Sequence, residues 1–545
     1  MRKKRILFCG EATYLNTGYA TYGREVLKRL HETDKYELAE FASYGTLEEA
    51  SSNGIPWVFY PNMPDQTNKA QVDEYNSLPT NQFGEWRFEE VLLDFKPDIV
   101  FDIRDFWMLD YQQRSPFRRM FHWVIMPTVD AAPQNEQWIA TYADAEAVFN
   151  YSDWGYEVLK SESNGTINCL GSAPPSADEA YQPVENKQKH KEDLGFDEET
   201  KIIGTIMRNQ RRKLFPDLFE SFKKFLDTTK KKNIFLYCHT SYPDIGWDIP
   251  KLLNRYGLSS KVLFTYSCIN CEHAFPSFFA DAKTKCPRCG SGNAGLASVK
   301  NGVSYEFLSS IMNTFDLYIQ YANSEGFGLP QVEAAACGVP VMSVDYSAMS
   351  SVVRKLEGTP LKPKALYGEL ETGCYRAVPD NDLTAKEMVK FFDKTEEERL
   401  EMGKRTRKNF EKHYQWDQTA KKWEDHFDSV AMRPDEETWL SPPRIHQPLS
   451  DVPGYLPTQE YVQWIIANVL GEPERLGTYF ESRMVRDLNY GMYIEGTGEM
   501  YFNEDSYKFV RPDYEPFDIE VAYRVLADLC ERRNRWETRR KQEIK

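Results

Sequence analysis

Residues 323–340 read Asn323-Ser324-Glu325-Gly326-Phe327-Gly328-Leu329-Pro330-Gln331-Val332-Glu333-Ala334-Ala335-Ala336-Cys337-Gly338-Val339-Pro340, directly after the apolar run Leu317-Tyr318-Ile319-Gln320. The run has strand character, and the residues after it predict a tight turn and then a helix. Gly326 and Gly328 permit φ values and a backbone approach to a ligand that other residues resist. Pro330 suits the first helical position, where its missing N–H is not needed. A helix starting there points its free N–H groups back at the turn, a ready place for phosphate. Gly338 ends the helix before a strand over 339–344. Glu325 in the turn and Glu333 on the helix are acceptors suited to hydroxyls, one set on a transferred sugar and one on a nucleotide ribose. Two glycines and a capping Glu are also an ordinary connection; the whole segment, with a strand on each side, is what points to a ligand site.

Working outward, apolar runs alternate with amphipathic ones. Strands are predicted over 201–206, 234–238, 262–265, 317–320 and 339–344, with helices over 215–226, 249–256, 303–313 and 330–336. A further amphipathic helix over 415–430 closes this half. The first half has strands over 5–9, 97–102, 121–126 and 147–150, with helices over 18–30 and 89–95. Strands separated by helices imply parallel sheets covered on both faces. Two α/β domains are therefore expected, 1–183 and 184–430, facing a cleft with ligands at the carboxyl ends of their strands. The polar stretch 185–201 has no apolar periodicity and reads as the connection between them. Residues 431–545 form an extension of unknown role, with helical patterns over 461–470 and 521–532 and a Gly-broken β-like pattern over 492–502.

At 545 residues the chain exceeds what one core supports. With 41% hydrophobic and 28% charged residues it is globular rather than disordered. A formal net charge of −16 repels polyanions as a whole, and the basic runs at 2–5, 211–213, 230–232 and 532–541 are short. No apolar run approaches the roughly 20 residues of a membrane span. The N-terminus enters a short buried strand rather than a secretory signal. Cytoplasmic localisation is expected.

Four of the ten cysteines have metal-ligand spacing: Cys268 and Cys271, then Cys286 and Cys289 after 14 intervening residues. Two such thiolate pairs ligate zinc tetrahedrally, and four thiolates leave no open position for chemistry. A structural zinc ribbon is expected over 266–300, interrupting the second domain, with His273 outside the ligand set.

The Glu325-x7-Glu333 segment resembles the Glu-x7-Glu signature of family 4 retaining glycosyltransferases, and the likeness extends over about residues 5–428. It implies the GT-B fold: two Rossmann-like parallel-sheet domains, here with a ribbon insertion and a C-terminal extension. It also implies a nucleotide-sugar donor, UDP-sugar favoured, and transfer with retention. Arg208 and Lys213 match the Arg and Lys that this family places on the donor diphosphate. Gly18 matches its N-terminal glycine loop. Gly326, Phe327, Gly328 and Leu329 complete the donor turn. Residues 178–183 resemble the opening of the interdomain linker, and 416–427 the terminal helix that crosses back. The family usually carries a His near the reacting carbon; the corresponding stretch is Pro127-Thr128-Val129-Asp130, so Asp130 stands there. An Asp orients a hydroxyl but is a poorer base unless buried. The resemblance implies that the leaving diphosphate takes the acceptor's proton. Arg208 and Lys213 would then stabilise charge. No Asp-x-Asp motif lies near the donor segment, so no catalytic metal is expected.

The acceptor stays open between a small molecule, a glycan, a protein and modified bases of DNA; the last would use the ribbon and basic runs for docking. A non-catalytic scaffold binding partners through the ribbon is the alternative of a different class. Glu325, Glu333, Arg208 and Lys213 together argue against it.

Overall fold

The computed structural model describes residues 2–113, 115, 117–280, 283–298, 302–434, 439, 501–503 and 508–510. The chain divides into two compact units, one of Met1–Pro127, Ala140–Ala147 and Asp425–Lys545, the other of Thr128–Ile139 and Val148–Glu424.

The first unit carries β1 (Lys4–Glu11), β2 (Tyr36–Ser43), β3 (Val58–Pro61), β4 (Ile99–Asp102) and β5 (His122–Ile125). They are parallel and ordered β3-β2-β1-β4-β5. Ile6, Leu7, Phe8, Ile99, Val100 and Phe101 are fully buried. Strands covered on both faces read as unbroken apolar runs, which is why the sequence announced β1 and β4. The helix Gly18–Glu32 is capped by the Thr17 side chain and buries Tyr22, Val26, Leu27 and Leu30, the stripe its periodicity predicts.

In the second unit Val148–Asn150 of β6 (Ala147–Asn150) pair in parallel with β7 (Cys169–Ser172). Its main sheet holds β8 (Lys201–Ile206), β9 (Ile234–His239), β10 (Val262–Cys268), β11 (Ala274–Phe278), β12 (Ala294–Leu296), β13 (Leu317–Gln320), β14 (Val341–Val344) and β15 (Thr359–Leu361). The order is β11-β10-β9-β8-β13-β14-β15, with β12 also on β10. Of these, β11 and β12 run antiparallel to their neighbour. The core below the sheet packs Ile203, Leu236, Val262 and Ile319 against Phe215, Phe219 and Phe222 of the helix Phe215–Thr228. A separate hairpin, β16 (Ala365–Gly368) with β17 (Tyr375–Val378), had no sequence signal that we read.

Two expectations are corrected. The polar stretch 185–201 is not a bare connection: it contains the helix Lys187–Asp193, capped by Asn186, within the second unit. That helix is anchored by one buried lysine, Lys191, whose ammonium meets Asp316 Oδ2 at 2.7 Å, so no apolar stripe betrays it. The fifth predicted strand of this half is four residues, Val341–Val344, rather than six. The helical patterns at 461–470 and 521–532 lie outside the described residues. So does most of the pattern at 492–502; Tyr501–Asn503 pairs antiparallel with Lys508–Val510. Among the described residues no helix is long and apolar enough to cross a membrane.

Candidate active site

The sheet order of the second unit reverses at one place. From β8 the chain proceeds to β9 and β10 on one flank, then returns to β13 on the other. The carboxyl ends of β8 and β13 therefore border a topological switch point, where open α/β sheets bind their ligands. The segments leaving those two strands are 207–214 and 321–328. They are laced together: Leu214 N–H donates to Tyr321 O at 3.1 Å and Asn323 N–H to Arg212 O at 2.9 Å, around a bridge between Lys213 and Ala322.

This lacing brings together Lys213 and Glu325, 112 apart in sequence. The Lys213 ammonium donates to Glu325 Oε1, and Arg212 NH1 donates to Oε2. Gln320 Nε2 adds a bond to Oε1 at 3.1 Å, and the Glu325 N–H donates to Ser347 Oγ at 2.9 Å. Glu325 and Lys213 are both buried, whereas the Arg212 side chain is 42% exposed. Burial, with Arg212 alongside, pushes the Lys213 ammonium well below its ordinary value. A buried carboxylate and a buried ammonium thus serve as each other's counter-charge.

The turn after Glu325 uses its two glycines in different ways. A Cβ on Gly326 would lie 2.3 Å from Thr128 Cγ2, so this glycine admits a neighbouring side chain of the same unit. Gly328 has φ +84, a conformation few other residues adopt, and is the N-cap of the helix Leu329–Ala336. It offers no side chain to cap the first turn, where the Gln331 N–H donates instead to the Gly328 carbonyl at 3.1 Å. Phe327 is buried against Tyr414. Glu333 lies on that helix away from the cationic pair, and burial pushes its carboxyl up to about 8, opposed by a hydrogen bond from Tyr181. The buried Oε1 of Gln331, in the first turn, has no partner among the described residues.

Arg208 is not brought to Glu325. Its guanidinium meets Asp244 through Nε at 3.1 Å and NH2 at 3.2 Å, and this contact holds the Asp244 carboxyl down at about 2. The loop carrying Asp244 also braces Lys213, since Trp247 Nε1 donates to the Lys213 carbonyl at 2.7 Å.

Asp130 sits in a network that sequence reasoning missed. Arg376 of β17 donates through NH1 to Asp130 Oδ2 at 2.7 Å and to Ser324 Oγ at 2.6 Å, while its Nε and NH2 hold Glu369 Oε2. Ser324 also donates to Asp130 Oδ2 at 3.2 Å. Asp130 is thereby an ion-paired carboxylate one hydrogen bond from the residue preceding Glu325. Arg376 lies 246 residues from Asp130 and in no motif; Arg212, by contrast, was visible in its basic run. Gly18 is the first residue of its helix in the first unit.

Cys268, Cys271, Cys286 and Cys289 converge, with all four sulfurs within 4.8 Å of one another. The Cys268–Cys289 and Cys271–Cys286 sulfurs are each 3.7 Å apart. A tetrahedron with metal–sulfur bonds of about 2.3 Å has edges of about 3.8 Å, so the set fits a four-thiolate divalent metal. Both knuckles repeat one turn: Glu272 N–H donates to Cys268 O at 2.8 Å and Gly290 N–H to Cys286 O at 2.9 Å. His273 stacks on Phe275 and is not among the four.

Residues 292–409, which contain the Glu325 turn and its helix, match the family model described as glycosyl transferases group 1. No curated protein sequence matches the chain. Among solved structures, sucrose-phosphate synthase from Thermosynechococcus elongatus is similar with a TM-score of 0.56 at 13% identity, covering 79% of this chain and 99% of that one. HepE of Anabaena in complex with UDP and glucose gives 0.55 at 12% identity, covering 78% and 100%. A glycosyltransferase from Rickettsia africae gives 0.53 at 12% identity, covering 79% and 99%. The fold is α/β of the GT-B kind, with parallel Rossmann-like sheets.

Proposed function

We propose that this protein is a retaining glycosyltransferase that moves a sugar from a UDP-sugar to a hydroxyl acceptor. The observation that carries the reading is the meeting of Lys213, Arg212 and Glu325 at the switch point of the second unit. The similar structure bound to UDP and glucose supports the choice of donor.

In this reading Glu325 stands in for the diphosphate while no donor is bound. The arriving diphosphate takes Lys213 and Arg212, and the released carboxylate accepts hydroxyls of the sugar. Arg208 leaves Asp244 for the same phosphates, and the open first turn after Gly328 adds N–H donors. Glu333 faces the ribose. Asp130, ion-paired to Arg376, positions the acceptor side of the sugar rather than taking a proton; the departing diphosphate takes it. No catalytic metal is needed. The four cysteines hold a structural zinc, and their thiolates suit a reducing compartment such as the cytoplasm. Residues 1–183 and 184–430 act as acceptor-side and donor domains.

The test is turnover of UDP-glucose and other nucleotide sugars, with and without candidate acceptors, and then NMR of the product's anomeric proton. Release of nucleotide that Glu325→Ala abolishes, with retained configuration, is the expected result. No turnover of any nucleotide sugar, or inversion, overturns it.

A further inference from the structure

The strands that bring Lys213 and Glu325 together also end, at their amino side, on a second feature. Lys201 is the first residue of β8, Asp316 immediately precedes β13, and Pro340 immediately precedes β14. All three line a cavity of about 600 Å³ that also takes in the helices Lys187–Asp193 and Glu396–His413. That volume accommodates a phosphorylated sugar or nucleoside. Because β8 and β13 span six and four residues, the cavity and the switch point lie on opposite edges of one sheet, on the order of 15 Å apart.

The cavity's charge is unbalanced. Seven lysines and arginines line it against four acidic residues. Two of those acids are committed: Asp316 to Lys191 at 2.7 Å and Glu411 to Arg407 at 2.7 Å. Lys187 donates to the carbonyl of Phe315 and is pushed down to about 8 by burial. Among the described residues Lys201, Lys404 and Lys408 have no carboxylate within ion-pair distance. Lys187 and Lys201 are half-buried and Lys404 and Lys408 exposed, and such a group of cations with too few anions is stabilised by a ligand that brings negative charge.

The helix that carries Glu333 links the two edges. It starts at the Glu325 turn and ends against the cavity, where the Arg407 guanidinium donates to Ala336 O at its C-terminus. A Cβ on Gly403 would lie 2.3 Å from Gly338 O, so the Glu396–His413 helix touches the backbone just beyond that terminus. Any ligand that moves Arg407 or the Glu396–His413 helix acts on the far end of the Leu329–Ala336 helix.

We infer that this amino-edge cavity binds a small phosphomonoester through Lys187, Lys201, Lys404 and Lys408, and that its occupancy changes nucleotide affinity at the carboxyl edge through the Leu329–Ala336 helix. The binding half is independent of the proposed activity; the coupling half rests on it.

The experiment is calorimetric titration of the full chain with inorganic phosphate and, in a second arm, a hexose monophosphate. Chloride balances ionic strength, since exposed lysines attract any anion weakly. Wild type should bind saturably, and the double variant Lys404→Ala/Lys408→Ala should lose about tenfold or more in affinity. Arg212→Ala, which removes a partly exposed cation of the donor site, should bind phosphate as wild type does, which separates this site from the donor site. Tighter binding of the hexose monophosphate than of phosphate would assign the ligand to the sugar phosphates; equal binding would assign it to phosphate itself. UDP affinity should differ by about fivefold or more between phosphate-loaded and phosphate-free protein. Absence of saturable binding, or unchanged affinity in the double variant, overturns the site. Loss of phosphate binding on Arg212→Ala with the double variant unaffected places the anion at the donor edge and also overturns it. Equal UDP affinity in both states overturns the coupling alone.

Discussion

Glu325→Gln removes one charge from the switch point and almost no volume. In the free protein that carboxylate occupies both Lys213 and Arg212, with Gln320 as a third donor. A diphosphate therefore competes with Glu325 for its own cations, and in the variant it does not. One hydrogen bond to a charged group contributes about 1.5–3 kcal/mol. Recovering a single such bond tightens UDP by about tenfold or more. Lys213 sets a condition, because burial with Arg212 alongside already pushes its ammonium well down. Without the carboxylate its proton is held less firmly still, so wherever the free variant has lost it UDP binding takes up a proton and the gain fades as pH rises. The assay is calorimetry with UDP at pH 6 and pH 8 in buffers of different ionisation enthalpy, beside the melting temperature of each protein. The ligand-free variant should melt lower, by up to about 3–5 kcal/mol of stability if Lys213 stays charged and by less if it deprotonates. Sugar transfer should fall on the order of a hundredfold, since a neutral amide oxygen replaces the charged acceptor for the sugar hydroxyl. UDP bound more weakly than by wild type at pH 6, in a variant that remains folded, would refute the idea that Glu325 stands in for the diphosphate.

Three further outcomes rest on particular contacts. A carboxyl raised from 4.5 to about 8 keeps its proton in the fold after the unfolded chain has lost it, so Glu333 makes stability drain away as pH climbs through that window. Glu333→Gln should flatten that slope, raising stability at pH 8 by on the order of a few kcal/mol and the melting temperature with it; a melting profile parallel to wild type from pH 5 to 9 rules the burial argument out. One metal ion per chain should copurify, and chelation or Cys286→Ser should lower the melting temperature; metal-free protein that melts unchanged after chelation would count against the four-thiolate centre. Arg376→Ala leaves Asp130 and Glu369 without their cation and should cost on the order of 2 kcal/mol, discounted because both carboxylates are partly exposed. If Asp130 positions the sugar, turnover should drop with little change in UDP affinity, and a stability loss with normal turnover would confine Arg376 to a structural role.

The features legible before the fold was known came from local rules. Apolar runs covered on both faces, the stripe of Tyr22, Val26, Leu27 and Leu30, the glycines of the Glu325 turn and the paired cysteine knuckles each report on their own few residues. Strand pattern, helix caps and metal spacing are set over such distances, and the second unit's alternation was legible for that reason. The stretch 185–201 escaped because its helix is held by one buried lysine on Asp316 rather than by a stripe. Arg376 escaped because nothing near it in sequence marks it.

The chain by itself thus determined its α/β class, the turn at Glu325 and the clustering of Cys268, Cys271, Cys286 and Cys289. Only the tertiary structure decided which charges meet. Lys213 and Arg212 reach Glu325, Arg208 is held by Asp244, and Arg376 closes on Asp130 across 246 residues. The physical reason is strand order: backbone periodicity is local, but β8 lying beside β13 is settled by how whole sheets and helices bury their faces. That one adjacency creates both the switch point at the carboxyl edge and the cationic cavity at the amino edge.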